Sequence, residues 1–162
     1  MKTLILMAAA IAMPAGLADA ADLPQVKEGL WQIRMQTVEN PGNKKSDVTT
    51  TLCRNHEYDK SAQALAKNMK GCTSISENLD GSTYSSETRC TVGGTVIDSK
   101  GTVSYTDTTA HGETHATYTP AFYGYTDETI IQDQKYVGDC PAGMQPGDHL
   151  LPDGTIQHRA KH

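Results

Sequence analysis

The residues with chemistry to offer fall into three groups, beginning with four cysteines, Cys53, Cys72, Cys90 and Cys140. An even count with no C-x-x-C pair reads as two disulfides rather than a zinc site, which needs ligands at short spacing. The second group is His111-Gly112-Glu113-Thr114-His115. It is not H-E-x-x-H, because glutamate does not follow the first histidine directly. On a strand, His111, Glu113 and His115 share one face at about 6 to 7 Å between neighbours, a weak metal candidate that lacks a third ligand from elsewhere. Its plainer reading is a solvated strand face, and no metal or other cofactor is assigned. The third group is aromatic: Phe122-Tyr123-Gly124-Tyr125, with Trp31, Tyr105, Tyr118 and Tyr136 on strand-like runs. Such side chains join an apolar body to a polar tip and serve binding sites and cores alike. Phe122, Tyr123 and Tyr125 are taken as ligand or partner contacts, and Trp31 as core.

No catalytic residue emerges beside these. There is no Gly-x-Ser-x-Gly, the cysteines are committed to disulfides, and Glu77, Glu87, Glu113 and Asp133 are ordinary charges for outward strand positions. The reading is therefore of a chain that is not an enzyme. A net charge of −5 with intermixed signs gives no footprint for nucleic acid.

The elements that must position these groups are mostly strands. Thr, Ser, Val, Ile and Tyr run in short stretches broken by Gly, Asn and Asp. Gly29 to Val38 alternates, with Trp31, Ile33 and Met35 on one face. Asp47 to Cys53 returns after the turn at Asn40-Pro41-Gly42-Asn43. Further strands are predicted over Thr73 to Leu79, Thr83 to Val92, Thr95 to Thr106, Ala110 to Thr119 and Thr126 to Val137. Between Cys53 and Cys72 the period becomes helical at Tyr58, Ala62, Leu65, Ala66 and Met69, with Asp59 or Ser61 as N-cap and Gly71 as stop. The predicted fold is mainly β. It is an antiparallel meander of about seven strands curled into a cup or barrel-like sheet, with one short helix and two disulfides. Large apolar residues are scarce, so the core is thin and the disulfides supply stability that packing would otherwise give.

Four cysteines allow three pairings. A plain up-and-down order gathers Cys53, Cys72 and Cys90 at one end of the sheet and sends Cys140 to the other, which does not choose a partner for Cys140. Taking the local loop as the simplest first bond gives Cys53 with Cys72 and Cys90 with Cys140.

The N-terminus sets the expected address. Met1-Lys2-Thr3, an apolar run from Leu4 to Met13 and the small residues of Ala18-Asp19-Ala20 form a signal peptide over residues 1–20, cleaved after Ala20. The run is too short to span a bilayer, and no later segment does so either, which leaves no integral membrane segment after cleavage. Residues 21–140 then form one exported β domain and residues 141–162 a C-terminal extension, partly disordered, with a solvated basic end at His158 to His162.

Gly29-Leu30-Trp31 soon after a signal peptide, Cys53 closing a second strand, Cys72, a Thr-rich strand into Cys90 and Gly138-Asp139-Cys140 together resemble the domain of unknown function 3617 family, small exported proteins of Gram-negative bacteria. The resemblance covers Gly29 to Cys140. It implies a β-rich domain in the periplasm, with secretion beyond the outer membrane equally served by the same signal, and it carries no activity. Members often finish near the Gly-Asp-Cys motif, whereas this chain continues to His162. The expected function is a periplasmic, non-enzymatic module that binds a small or lipid-like ligand. The alternative is an interaction or inhibitor module for another envelope protein. A hollow cup would favour the first; an aromatic loop projecting beyond a filled core would favour the second.

Overall fold

The computed structural model describes residues 23–159; the signal peptide expected over residues 1–20 lies outside them. Seven long strands and one helix follow in order: β1 Gly29–Asn40, β2 Lys44–Arg54, α1 His56–Lys67, β3 Cys72–Asp80, β4 Thr83–Val92, β5 Thr95–Tyr105, β6 Thr109–Phe122 and β7 Tyr125–Gly138. Each strand lies where alternation and turn residues put it, extended by one to three residues at most ends. Two short strands, β8 His149–Leu150 and β9 Ile156–Gln157, come from the C-terminal segment.

All pairs are antiparallel in one sheet of order β3-β4-β5-β6-β7-β1-β2-β8-β9, which is not closed. Strands β3 to β7 form the expected meander. The β1–β2 hairpin is not its first rung but attaches to its far side through β7, with Trp31 opposite Tyr136 and Arg34 opposite Asp133. The chain therefore leaves β2 near one edge and re-enters as β3 at the other, crossing five strands. A 12-residue helix covers about 18 Å. The six strand spacings it must bridge total roughly 29 Å, before any travel along the strands. The chain after the helix is turned rather than stretched, since Cys72 N–H donates to the Met69 carbonyl. A flat sheet cannot accommodate so short a link, so the sheet curls around α1.

This crossing corrects the expected disulfide pairing. It delivers the chain to the opposite end of the sheet, so β3 starts where a plain meander would have it finish, and every later strand is reversed. Cys72 and Cys90 come to face each other across β3 and β4 at one end, and Cys140 joins Cys53 at the other. The bonds are Cys53–Cys140 and Cys72–Cys90, not Cys53 with Cys72 and Cys90 with Cys140.

The helix begins one turn earlier than its expected caps. Asn55 is the N-cap, and its Oδ1 accepts from the Tyr58 amide at 2.8 Å, which leaves Asp59 free for Arg54. Trp31 is the centre of the core at 0% exposure. Its indole N–H donates to the Lys27 carbonyl at 2.8 Å, its ring meets Tyr136 edge-on at 6.2 Å, and the Arg54 guanidinium lies 5.1 Å over it. Beyond Trp31 the buried apolar set is small: Val26, Leu52, Cys53, Ala110 and Ala116. The family motifs at the two chain ends meet here. Gly29, at φ +138°, packs so tightly on β7 that a Cβ would come within 2.6 Å of the Gly138 carbonyl and 2.7 Å of the Tyr136 ring.

Residues 141–159 are the described part of the expected C-terminal extension. They fold back on β2, where Leu150 pairs with Thr51 and His149 with Leu52, and the Cys53 amide donates to the Asp148 carbonyl at 2.9 Å.

Loop length decides which bond matters more. Cys53–Cys140 closes 87 residues and Cys72–Cys90 closes 18, about 4.6 and about 3.2 kcal/mol respectively in the chain-entropy model. Replacing both cysteines of a pair by serine should lower the urea midpoint more for Cys53/Cys140 than for Cys72/Cys90. Non-reducing peptide mapping should recover the two cross-linked peptides stated here; a Cys53–Cys72 peptide would overturn the crossing.

Candidate functional site

The two faces of the sheet have different chemistry because β-strand side chains alternate. One face carries His111, Glu113 and His115 with Arg34, Asp47, Arg89, Asp98, Lys100 and Glu87. These side chains pair off across strands: Arg34–Asp47, Arg89–Asp98 and Lys100–Glu87 are ion pairs on exposed side chains. His111 Nδ1 lies 2.7 Å from Asp133 Oδ1, and its Nε2 is 3.6 Å from Glu113. Asp133 beside the ring raises the His111 pKa, against the effect of burial. His115 is elsewhere engaged, with Nδ1 3.3 Å from the Thr129 hydroxyl. The row predicted from sequence is thus real in register, but its two histidines bond to β7 and Glu113 lies near His111 alone. Among the described residues no group of three or more His, Cys, Asp or Glu side chains could hold a metal ion.

The aromatic turn between β6 and β7 sits at the end of the sheet next to the β1–β2 turn. Phe122 is stacked between Tyr118, at 5.8 Å, and Tyr123, at 4.5 Å. Tyr123 has φ +48° and is 87% exposed. Tyr125 takes a different role: its hydroxyl is 3.0 Å from Lys44 Nζ, a bond that raises the lysine pKa, with the Tyr125 and Glu39 charges adding to it. Of the three expected contact residues, Tyr123 alone projects freely, Phe122 supports it, and Tyr125 ties two turns together.

The opposite face carries α1 and holds the hollow that sequence reasoning did not locate. No residue of α1 is buried, and Leu65 and Met69 are 63% and 57% exposed. The helix is held chiefly at its ends. At the start, Arg54 pairs with Asp59 at 2.9 Å and donates to Gln134 on β7 at 2.9 Å, while the His56 amide donates to Glu28. At the finish, Lys67 reaches Glu77 at 3.6 Å. Beneath it lies a cavity of about 230 Å³ with mostly apolar surface, bordered by Leu23, Ala66, Cys72, Tyr84 and Thr88 and also by the paired Lys67 and Glu77. A second hollow of about 90 Å³ continues toward the start of the helix between Arg54, Lys60 and Tyr105. Leu23 and Gln63 border both. Burial raises the Tyr105 pKa; Arg54 opposes this and Asp59 adds to it, so the phenol keeps its proton. Tyr84 is raised likewise, by burial first and then by Glu77.

The signals for this site are spread over three segments. Leu23 precedes the first strand, Ala66 has the helical period, and Tyr84 and Thr88 alternate on β4; none stands out alone.

Asp148 is a carboxylate with a strongly lowered pKa, and it is structural. Its oxygens accept from the backbone amides of Gln145 and Arg159 and lie 2.9 Å from His158 Nδ1. These donors, the two amides first, pull its pKa down to about 2, against burial. Its side chain is 5% exposed, which leaves no room for a substrate. The Arg159 guanidinium, held by this knot, lies 5.4 Å over the Tyr58 ring of α1.

A family model described as protein of unknown function (DUF3617) matches residues 26–140. No curated protein matches this chain, nor does any solved structure. No helix among the described residues is long and apolar enough to cross a membrane. The two disulfides are consistent with an exported protein.

Asp148 lies beyond the matched span and gives a separable test. A carboxylate whose pKa is depressed in the fold stabilises above its unfolded value near 3.9 and loses that contribution as pH falls toward 2. Protection from hydrogen exchange, relative to the intrinsic rate at each pH, should therefore fall in residues 145–159 between pH 4 and pH 2 more than in β6. Asp148→Asn should show that lower protection already at pH 7; unchanged exchange in the variant would remove Asp148 from its role as clasp.

Proposed function

Because the chain belongs to the family of proteins of unknown function DUF3617, which brings no activity with it, we propose from the site itself that this is a periplasmic, non-enzymatic module that binds a small or lipid-like ligand between α1 and the sheet. The observation that carries this reading is the helix. A 12-residue amphipathic segment normally buries its apolar stripe; α1 buries none of its residues, yet it is fixed at both ends over a mostly apolar cavity. Filling that space with an apolar group removes both apolar surface from water and the cost of an unfilled void. With the adjoining hollow, the volume reaches the lower bound of the roughly 300–1,000 Å³ typical of ligand sites.

One observation favours the second reading, an interaction module for an envelope protein. Tyr123 is 87% exposed at a turn and backed by Phe122, an arrangement suited to an aromatic anchor in a partner's pocket.

The neutral probe N-phenyl-1-naphthylamine separates the two. Its fluorescence should rise on adding the mature protein. Ala66→Phe and Thr88→Phe, which fill the cavity, should each weaken binding by about tenfold, on the order of the 1.4 kcal/mol lost when one or two methylene-sized spaces are denied. Tyr123→Ala should leave it unchanged. Loss with Tyr123→Ala alone would move the site to the turn, and no fluorescence change would refute the cavity reading.

A further inference from the structure

We infer that the ligand is an anionic amphiphile, a medium-chain carboxylate in the simplest case, with its chain under α1 and its head at Lys60, Arg54 and Tyr105. This rests on the cavity reading above and adds a chemical class and an orientation to it.

The two hollows lie side by side, with Leu23 and Gln63 bordering both, and they have unlike linings. The larger end is mostly apolar. The smaller is bordered by three basic side chains, Arg54, His56 and Lys60, and one acidic one, Asp59. Their engagements decide the sign. Asp59 is neutralised by Arg54 at 2.9 Å. The His56 ring is tied through Nε2 to the Val26 carbonyl at 2.9 Å and lies 3.4 Å from Glu28 through Nδ1. Lys60 has no ion-pair partner among the described residues. Among the side chains that line this end the charge balance is therefore positive and is carried by Lys60. Tyr105 makes no side-chain hydrogen bond among the described residues, and burial keeps its hydroxyl protonated, which supplies a neutral donor to a carboxylate. A cationic head would meet Lys60 and Arg54 instead, and a neutral one would gain the Tyr105 bond without the charge.

The orientation also explains Leu23. It stands at the junction of the two ends, where an acyl chain would pass, and a side chain of its size narrows the passage without adding charge. The strap that carries it is anchored next to it: Val26 is buried, and the Lys27 amide donates to the Asp107 carbonyl at 2.8 Å.

The test uses the mature protein with three probes of equal chain length, dodecanoate, dodecanol and dodecyltrimethylammonium, each below its micellar concentration and each in competition with N-phenyl-1-naphthylamine. Dodecanoate should bind about tenfold more tightly than the cation, and Lys60→Glu should weaken dodecanoate by about three- to tenfold while leaving dodecanol unchanged, the range expected for reversing one partly solvated charge. Lys60 is exposed, so the variant folds; near-ultraviolet circular dichroism confirms it. If the three probes compete within threefold of one another and Lys60→Glu changes none of them, the cavity holds apolar ligands and the anionic assignment falls. If N-phenyl-1-naphthylamine binds and no C12 probe displaces it, the amphiphile class falls while the cavity stands. If the naphthylamine itself does not bind, both readings fall together.

Discussion

The structure depends on a single link, the passage of the chain from β2 to β3 over the face of its own sheet. Had β3 simply paired beside β2, the domain would be a plain meander with a helical bulge at its edge. Crossing five strands instead places α1 over the sheet, reverses the direction of all later strands relative to that meander, and lets β7 return beside β1. From that reversal come the two disulfides, one at each end of the crossing: Cys53 stands three residues before α1 and Cys72 five residues after it. The covalent bonds therefore fix the span over which the helix is carried, to β7's end through Cys140 and to β4 through Cys90.

A crossing of this kind is costly to hold in a chain with so few large apolar residues. Isolated helices of about twelve residues are marginal in water, and α1 gains little from burial. What holds the crossing is concentrated near Trp31. The Arg54 guanidinium lies over the indole, the indole meets the Tyr136 ring edge-on, the Lys27 ammonium lies 4.2 Å over that ring, and Arg54 passes the connection to α1 through Asp59. Arg54 thus joins the core to the first turn of the helix with one side chain, an arrangement that suits a planar cation better than a lysine. The Asp148 knot adds a brace from the other side, through Arg159 and Tyr58.

Much of this fold is legible in the sequence, and what was not legible has a definite cause. Strand limits follow from alternation and turn residues, as for Gly93-Gly94 between β4 and β5, and Trp31 announces itself as core by its position on the apolar face of β1. The helix is legible from its period, but its cap is not: Asn55, Asp59 and Ser61 are all good N-cap types, and Arg54 decides among them by claiming Asp59. The local-loop pairing fails because it takes Cys53 and Cys72 to lie at one end of a plain meander, and one crossing puts them at opposite ends. The cavity was hidden for a related reason. Its walls come from segments far apart in sequence and made of ordinary residues, whereas the aromatic turn was conspicuous because its residues are adjacent. Adjacency in sequence favours turns and knots; a hollow is built by topology.

The two faces of the sheet finally bear on where function can reside. On the His111 face, opposite charges meet across strands and satisfy one another in solvent, so a partner docking there would have to break pairs that water already screens well. Little is gained by such an exchange. On the α1 face the balance is reversed: apolar side chains such as Tyr84 and Leu23 border space rather than close-packed neighbours, and Lys60 and Tyr105 hold polar groups that no described side chain engages. Protein interiors ordinarily pack to crystal-like density. A sheet that curls around a helix but leaves the interval between them unfilled has packing to gain on that face, and an occupant of matching shape would stabilise the crossing on which the fold depends.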